Sequence, residues 1–107
     1  MMRAILLLAL TAAWATLMPS AAFASAEDLA TIERQCGVQL KLSPSGCACL
    51  RGRASKLKDS QQAFVAAVVT KNKQAQKNIM QTMTVAELTE AGMFMTTAPA
   101  QCAQGGG

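Results

Sequence analysis

Apolar side chains along the chain recur three and four residues apart, which is the period of amphipathic helices. The first stripe consists of Leu29, Ile32 and Cys36. Ser25 precedes it as a candidate helix cap, and acidic residues follow Ser25 at once, where they favour the helix dipole. Gly37 is the expected stop. The pattern therefore predicts a first helix that begins after Ser25 and ends near Gly37.

The second stripe follows a stronger start signal. Ser43 is a good capping residue, and Pro44 behind it fits the first helical position. The apolar positions after this cap are Cys47, Leu50, Ala54 and Leu57. Residues two apart on a helix point about 200° away from each other. Cys47 is thus predicted to lie on the apolar face, and Cys49 on a flank near Arg53 and Lys56.

Capping patterns predict three more helices. Asp59 with Gln62 three residues later resembles a capping box. The run "AFVAAVV" behind it could form a buried strand by composition, but the interleaved alanines and the cap favour helix. A fourth short helix is expected after the polar connection at Asn72, and Thr84 with Glu87 forms another capping box. The apolar positions of these last two helices are Ala75, Ile79, Met80 and Met83, then Val85, Leu88 and Met95.

The C-terminal segment "TTAPAQCAQGGG" is rich in small and helix-breaking residues, so it is expected to be a loop that holds Cys102, with residues 103–107 as a flexible tail. Taken together, the pattern predicts an all-α fold, a small disulfide-stapled bundle of four to five short helices. Residues 25–102 form its single domain.

The N-terminal segment has the layout of a secretory signal peptide. Arg3 precedes an apolar run, which ends before Pro19 and a stretch of small residues. The apolar run is shorter than the roughly 20 residues of a spanning helix, so no stable membrane anchor is expected. Cleavage is predicted after Ala24, making residues 1–24 the signal peptide, with cleavage after Ala26 as the alternative. The mature protein is thus expected in the periplasm or outside the cell.

Export makes disulfides the first interpretation of the cysteines. Cys36, Cys47, Cys49 and Cys102 are an even number in a short chain, and a domain of this size needs covalent support for its small core. Because the side chains of Cys47 and Cys49 diverge, two bridges to different partners are favoured. Cys36 with Cys47 and Cys49 with Cys102 is the preferred pairing, although four cysteines allow three pairings.

Two functional alternatives use the same cysteines or the methionines. A Cys-x-Cys with basic neighbours could exchange thiols with a partner's disulfide. Copper(I) accepts thiolate and thioether ligands, and the sequence offers the methionine pairs of "IMQTM" and "MFM". Methionine at helical spacing in a small aliphatic core is more often gap-filling. No metal site and no cofactor are therefore expected.

Charge indicates a binding role. Between Lys41 and Lys77 the chain has eight basic residues and one acid, Asp59, whereas the other acids lie towards the two ends. The densest basic group is Arg51, Arg53, Lys56 and Lys58, the predicted partner-binding residues. A second group comprises Lys71, Lys73 and Lys77. Such groups attract anionic partners, although many are simply solvated helix faces.

The remaining composition argues against catalysis and against nucleic acid. The chain contains no histidine, the usual general base, so it is not expected to be an enzyme. Neither basic group contains an aromatic residue that could stack on bases, which disfavours nucleic acid. The sequence thus predicts an exported, non-catalytic binding or structural protein with a basic helical surface. Its partner would be an acidic protein or an anionic envelope component, and the oligomeric state stays open.

Overall fold

A computed structural model describes residues 20–105 as five α-helices and one π-helical turn. The helices are α1 (Ser20–Gln35), α2 (Pro44–Ala54), α3 (Asp59–Val69), α4 (Lys73–Met80) and α5 (Val85–Gly105). The π-helical turn, Cys36–Leu40, follows α1 directly. The described residues contain no strand, so the predicted all-α class is confirmed. Of the predicted signal peptide, residues 1–24, residues 1–19 lie outside the described residues, and residues 20–24 form the start of α1.

Both predicted ends of the first helix are wrong. α1 begins at Ser20, so Ser25 lies inside the helix, where its hydroxyl donates to Oε1 of Gln62 on α3. Gly37 does not end the helical conformation either, because the π-helical turn continues through Leu40. The chain turns at Lys41, which is in the left-handed conformation with φ 60°. Burial of Cys36 and packing of Leu40 against the core hold this turn in place.

The predicted start of the second helix is confirmed. Ser43 is the cap of α2, and its hydroxyl accepts a hydrogen bond from the Gly46 backbone N–H at 3.1 Å. Pro44 occupies the first helical position, where a missing N–H costs no hydrogen bond. The apolar face of α2 carries the buried residues Cys47, Leu50 and Ala54, and Leu57 packs against this cluster.

The capping box of α3 lies one residue earlier than predicted, because Lys58 rather than Asp59 is the cap residue and Asp59 is the first helical residue. Gln61, rather than Gln62, accepts the Lys58 backbone N–H, at 2.9 Å. Gln62 is instead buried one residue further on, and its amide donates to the Leu57 carbonyl at 2.8 Å. The predicted capping partner was therefore wrong by one position. The run "AFVAAVV" is helical, which confirms helix over strand.

The last two helices begin where predicted. Asn72 caps α4 by accepting the Ala75 backbone N–H at 3.0 Å. Thr84 and Glu87 form the predicted capping box: Oε1 of Glu87 accepts the Thr84 N–H at 2.8 Å, and Oγ1 of Thr84 accepts the Glu87 N–H at 3.1 Å. Val85, however, is 83 % exposed and does not belong to the apolar face that was predicted for the fifth helix.

The predicted C-terminal loop is wrong, because α5 continues through Gly105 with Pro99 inside it. A proline removes one hydrogen bond of the helix ladder. Ala98 and Cys102 flank Pro99 and are both buried, so tertiary contacts and the bridge at Cys102 hold the helix beyond the proline. The predicted tail begins inside this helix, and residues 106 and 107 lie outside the described residues.

The core lies where α1, α2, α3 and α5 meet. α1 packs against α2 and α3, α5 packs against α2 and α3, and α4 packs against α3. The largest fully buried apolar side chains are Ile32, Leu50 and Val65, one from each of α1, α2 and α3. Two buried glutamines, Gln61 and Gln62, have their amides hydrogen-bonded to backbone carbonyls. The result is a bundle whose α2 is central to both disulfides.

Candidate binding surface

The four predicted binding residues divide between two faces of the bundle. Arg51 turns towards α1, where its Nη1 is 3.2 Å from Oε2 of Glu33. Arg53 turns towards α5, where its Nη1 donates to Oε1 of Gln101. The physical reason is helix geometry, because residues two apart point about 200° away from each other. One continuous patch of all four charges is therefore not present.

Two of the four residues contact α5, and a third lies between them in the chain. Arg53 reaches the last turns of α5 at Gln101, and Lys58 pairs with Glu87 in the first turn, with Nζ 3.4 Å from Oε2. Lys56 is exposed in the turn that joins α2 to α3. Glu87 and Gln101 are roughly 21 Å apart along the helix at 1.5 Å per residue. These three residues, Arg53, Lys56 and Lys58, are called the basic border below.

An open groove of about 660 Å³ lies beside this border. One wall is Leu57, which sits between Lys56 and Lys58 in the chain. The other wall is a stripe on α5 with spacings of three and four, comprising Ala86, Thr89, Glu90, Met93, Phe94 and Thr97. Met93 is 61 % exposed although it is large and apolar. This groove was not predicted from the sequence. The signal available in the sequence was the helical spacing of Ala86, Glu90, Met93 and Thr97.

The acidic residues are less separated from the basic middle than the sequence suggested. The pKa of Asp28 on α1 is raised from its ordinary value, first by partial burial and then by the nearby charges of Glu27 and Asp59. Asp59 is the one acid of the basic segment and opens α3. The fold thus brings an acidic end of the chain against the middle.

Hydrogen bonds at the start of α5 lower the pKa of Glu87. The Thr84 backbone N–H contributes most, and the Thr84 hydroxyl and Lys58 act in the same direction. A lowered carboxyl pKa means that the folded state prefers the charged form. The stabilisation is complete above the ordinary value of 4.5 and is lost as the pH falls through the lower, folded value.

Replacing Glu87 with Gln should therefore make unfolding less sensitive to acid. We expect the wild type to lose more stability than Glu87→Gln when the pH falls from neutral to below 4.5. Urea unfolding followed by circular dichroism at several pH values measures this difference. Glu90→Gln is the matched control, since Glu90 lies outside the capping box. Identical acid sensitivity in wild type and Glu87→Gln would contradict the assigned role of the capping carboxylate.

All four cysteines are in disulfides, and the preferred pairing is confirmed. Cys36 is bonded to Cys47, with Cα atoms 5.6 Å apart, and Cys49 to Cys102, with Cα atoms 5.7 Å apart. The described residues contain no free cysteine. The Cys-x-Cys thus connects α2 to two different partners, the start of the π-helical turn and α5. Thiol exchange would first require one of these bridges to open.

The Met93–Met95 pair is divided by the fold. Met93 is exposed in the groove, whereas Met95 packs against the core from the same helix. Met80 is 42 % exposed on α4. Residues 20–105 contain no group of three or more His, Cys, Asp or Glu that could hold a metal ion.

The Ser55 hydroxyl at the end of α2 makes one local interaction. Ser55, which precedes Lys56, donates to the Gly52 carbonyl at 2.6 Å. This is the local side-chain to backbone bond that serines commonly make at helix ends. The geometry gives Ser55 a structural partner at the end of α2.

The fold and the surface define a class: a small helical bundle stapled by two disulfides, with an apolar groove beside three basic residues. Within residues 20–105, no helix is long and apolar enough to cross a membrane. Comparison of the chain with family models, curated proteins and solved structures finds no match.

Proposed function

We propose that this chain is an exported, non-catalytic binding protein whose groove receives an amphipathic helix of an acidic protein. The observation that carries the proposal is the apolar stripe on α5 beside the basic border. A large exposed apolar side chain such as Met93 next to Phe94 and Leu57 is typical of an interaction site. The two disulfides support an oxidising compartment outside the cytoplasm.

The charges around the groove favour a particular orientation of the partner. Arg53, Lys56 and Lys58 lie on the α2 side, while Glu90 lies in the α5 wall. A helix with acids on one flank can meet the basic border while its apolar face covers Met93 and Leu57. Its other flank would carry a polar or basic residue opposite Glu90. Complementary charges of this kind set partner choice and encounter rate more than affinity.

The first experiment identifies the partner and the surface together. A photo-crosslinking amino acid placed at Met93, in protein produced by its own cells, should trap one defined protein. The same amino acid at Ala48, an exposed position on α2, is the matched control. The trapped protein is then purified and titrated against wild type and variants.

In the titration, binding should weaken at least about tenfold in Met93→Glu and in the triple variant Arg53→Gln, Lys56→Gln, Lys58→Gln. Binding by the wild type should depend on salt, and the triple variant should lose this dependence. Arg51→Gln removes a charge from the face of α2 opposite Arg53, and this variant should bind the partner with nearly wild-type affinity. Circular dichroism checks that each variant is folded. Equal trapping at Ala48 and Met93, or unchanged affinity in Met93→Glu, would reject the groove as the site.

A further inference from the structure

A second basic surface lies away from the groove, on α4 and the turn before it. Lys71, Lys73 and Lys77 are all exposed, and the chain has no acidic residue between Thr70 and Ala86. Neither of the two salt bridges found within residues 20–105 involves these lysines. Their charges are therefore not neutralised by those pairs and face solvent.

The position of α4 turns this charge outwards. Ala75 and Ile79 face a groove of about 220 Å³ shared with α1 and α3. On a helix of 3.6 residues per turn, Lys73, Lys77 and Met80 then lie within about 60° of one another on another side. Met80 is 42 % exposed, and these three residues line one shallow depression with Gln74 and Gln76. No residue of α4 is fully buried.

The α4 surface, defined by Lys71, Lys73, Lys77 and Met80, combines positive charge with a flexible apolar side chain. We propose that it docks the protein on a bilayer that carries anionic phospholipids. Lysines attract the phosphate-bearing head groups, and Met80 beside Lys73 and Lys77 reaches towards the acyl boundary. The surface offers one apolar side chain and no deep groove, which suits a lipid surface better than a shaped protein partner.

The affinity expected from this surface is modest and additive. A lysine near an anionic membrane surface contributes about a fivefold gain in affinity, so three lysines contribute on the order of a hundredfold. This is enough for reversible attachment. The attraction acts within about a Debye length of the surface, and it weakens as the salt concentration rises. It would place the α5 groove close to a membrane without requiring any helix of residues 20–105 to span it.

The test is sedimentation with vesicles of phosphatidylcholine containing about 30 % phosphatidylglycerol. The surface potential of such vesicles is comparable to the roughly −30 to −50 mV of anionic leaflets. Wild type should bind these vesicles, should bind pure phosphatidylcholine far less, and should be released by salt. The triple variant Lys71→Gln, Lys73→Gln, Lys77→Gln should lose about a hundredfold in affinity. Every triple variant keeps the same N-terminal segment, so the difference between variants reports the lysines alone.

A second triple variant controls for net charge. Arg34→Gln, Lys41→Gln, Arg51→Gln changes the net charge equally but leaves both the α4 surface and the basic border intact, and it should bind within a few-fold of wild type. Equal losses in the two triple variants would overturn the proposal and indicate a non-specific charge effect. Wild type that binds both kinds of vesicle equally would also overturn it.

Two further arms separate a lipid surface from other anions. Inorganic phosphate should release the protein from vesicles no more than chloride of equal ionic strength; stronger release would indicate a free-phosphate site. In Met80→Trp combined with Trp14→Phe, which removes the native tryptophan, the fluorescence should shift to the blue on anionic vesicles because the residue at position 80 enters the interface. No shift, together with binding of an acidic protein through the same lysines, would assign the surface to a protein partner instead.

Discussion

Removing the bridge between Cys49 and Cys102 is expected to lower the free energy of unfolding by about 4 kcal/mol, more than removing the bridge between Cys36 and Cys47, at about 3 kcal/mol. The reason is the length of chain that each bridge closes. The first closes 53 residues and the second 11. A longer loop has more entropy to lose in the unfolded chain. Either loss is a large share of the stability of a small domain.

Urea unfolding followed by circular dichroism measures both losses. Each bridge is replaced by two alanines, because buried serine hydroxyls at Cys36 or Cys102 would add a separate cost. The two double variants are matched controls for each other, since each removes two sulfurs and one bridge. Equal losses, or a larger loss without Cys36–Cys47, would contradict the loop-length explanation.

Amide hydrogen exchange adds a local readout. Without Cys49–Cys102, the part of α5 beyond Pro99 loses its covalent contact with α2, and it already lacks one helical hydrogen bond. We expect its amides to exchange faster in that variant than in the variant without Cys36–Cys47. The wall of the groove near Thr97 should loosen with it, so this bridge also supports the proposed binding surface.

Local signals in the sequence were sufficient for most helix starts. Ser43 and the Thr84–Glu87 box make the predicted hydrogen bonds, because a cap involves neighbours three residues apart and needs no knowledge of the tertiary fold. Asn72, predicted only as part of a polar connection, caps α4 in the same way. For the disulfides, the divergence of Cys47 and Cys49 required two different partners, and the positions of Cys36 and Cys47 on apolar stripes favoured the pairing that the structure shows.

Long-range contacts decided the rest. Pro99 and its small neighbours indicate a loop when read locally, yet burial of Ala98 and Cys102 keeps α5 helical past them. The apolar spacing of Ala91, Ala98 and Cys102 was the available signal for this. The basic group shows a different error: Arg51 and Arg53 are two apart like Cys47 and Cys49, so the same angular argument would have placed them on different faces.

The groove depends on how α3 and α5 are held together at their first turns, and Gln61 makes that connection. Its side chain is 1 % exposed. Its Oε1 accepts the Lys58 N–H, and its Nε2 donates to the Glu87 carbonyl, both at 2.9 Å. Lys58 and Glu87 also form an ion pair, but Lys58 is 72 % exposed and such pairs contribute little.

Replacing Gln61 with Ala is expected to cost about 2–3 kcal/mol in the free energy of unfolding, because it removes two buried hydrogen bonds and leaves a cavity. Lys58→Ala, which removes the ion pair alone, should cost below about 1 kcal/mol. Gln61→Leu keeps most of the side-chain volume, so it separates the cost of the lost hydrogen bonds from the cost of the cavity. Urea unfolding of the three variants measures the order. If Gln61→Ala costs no more than Lys58→Ala, the surface ion pair rather than the buried amide holds α5 against α3, and the groove wall at Ala86 and Glu90 rests on charge that salt would weaken.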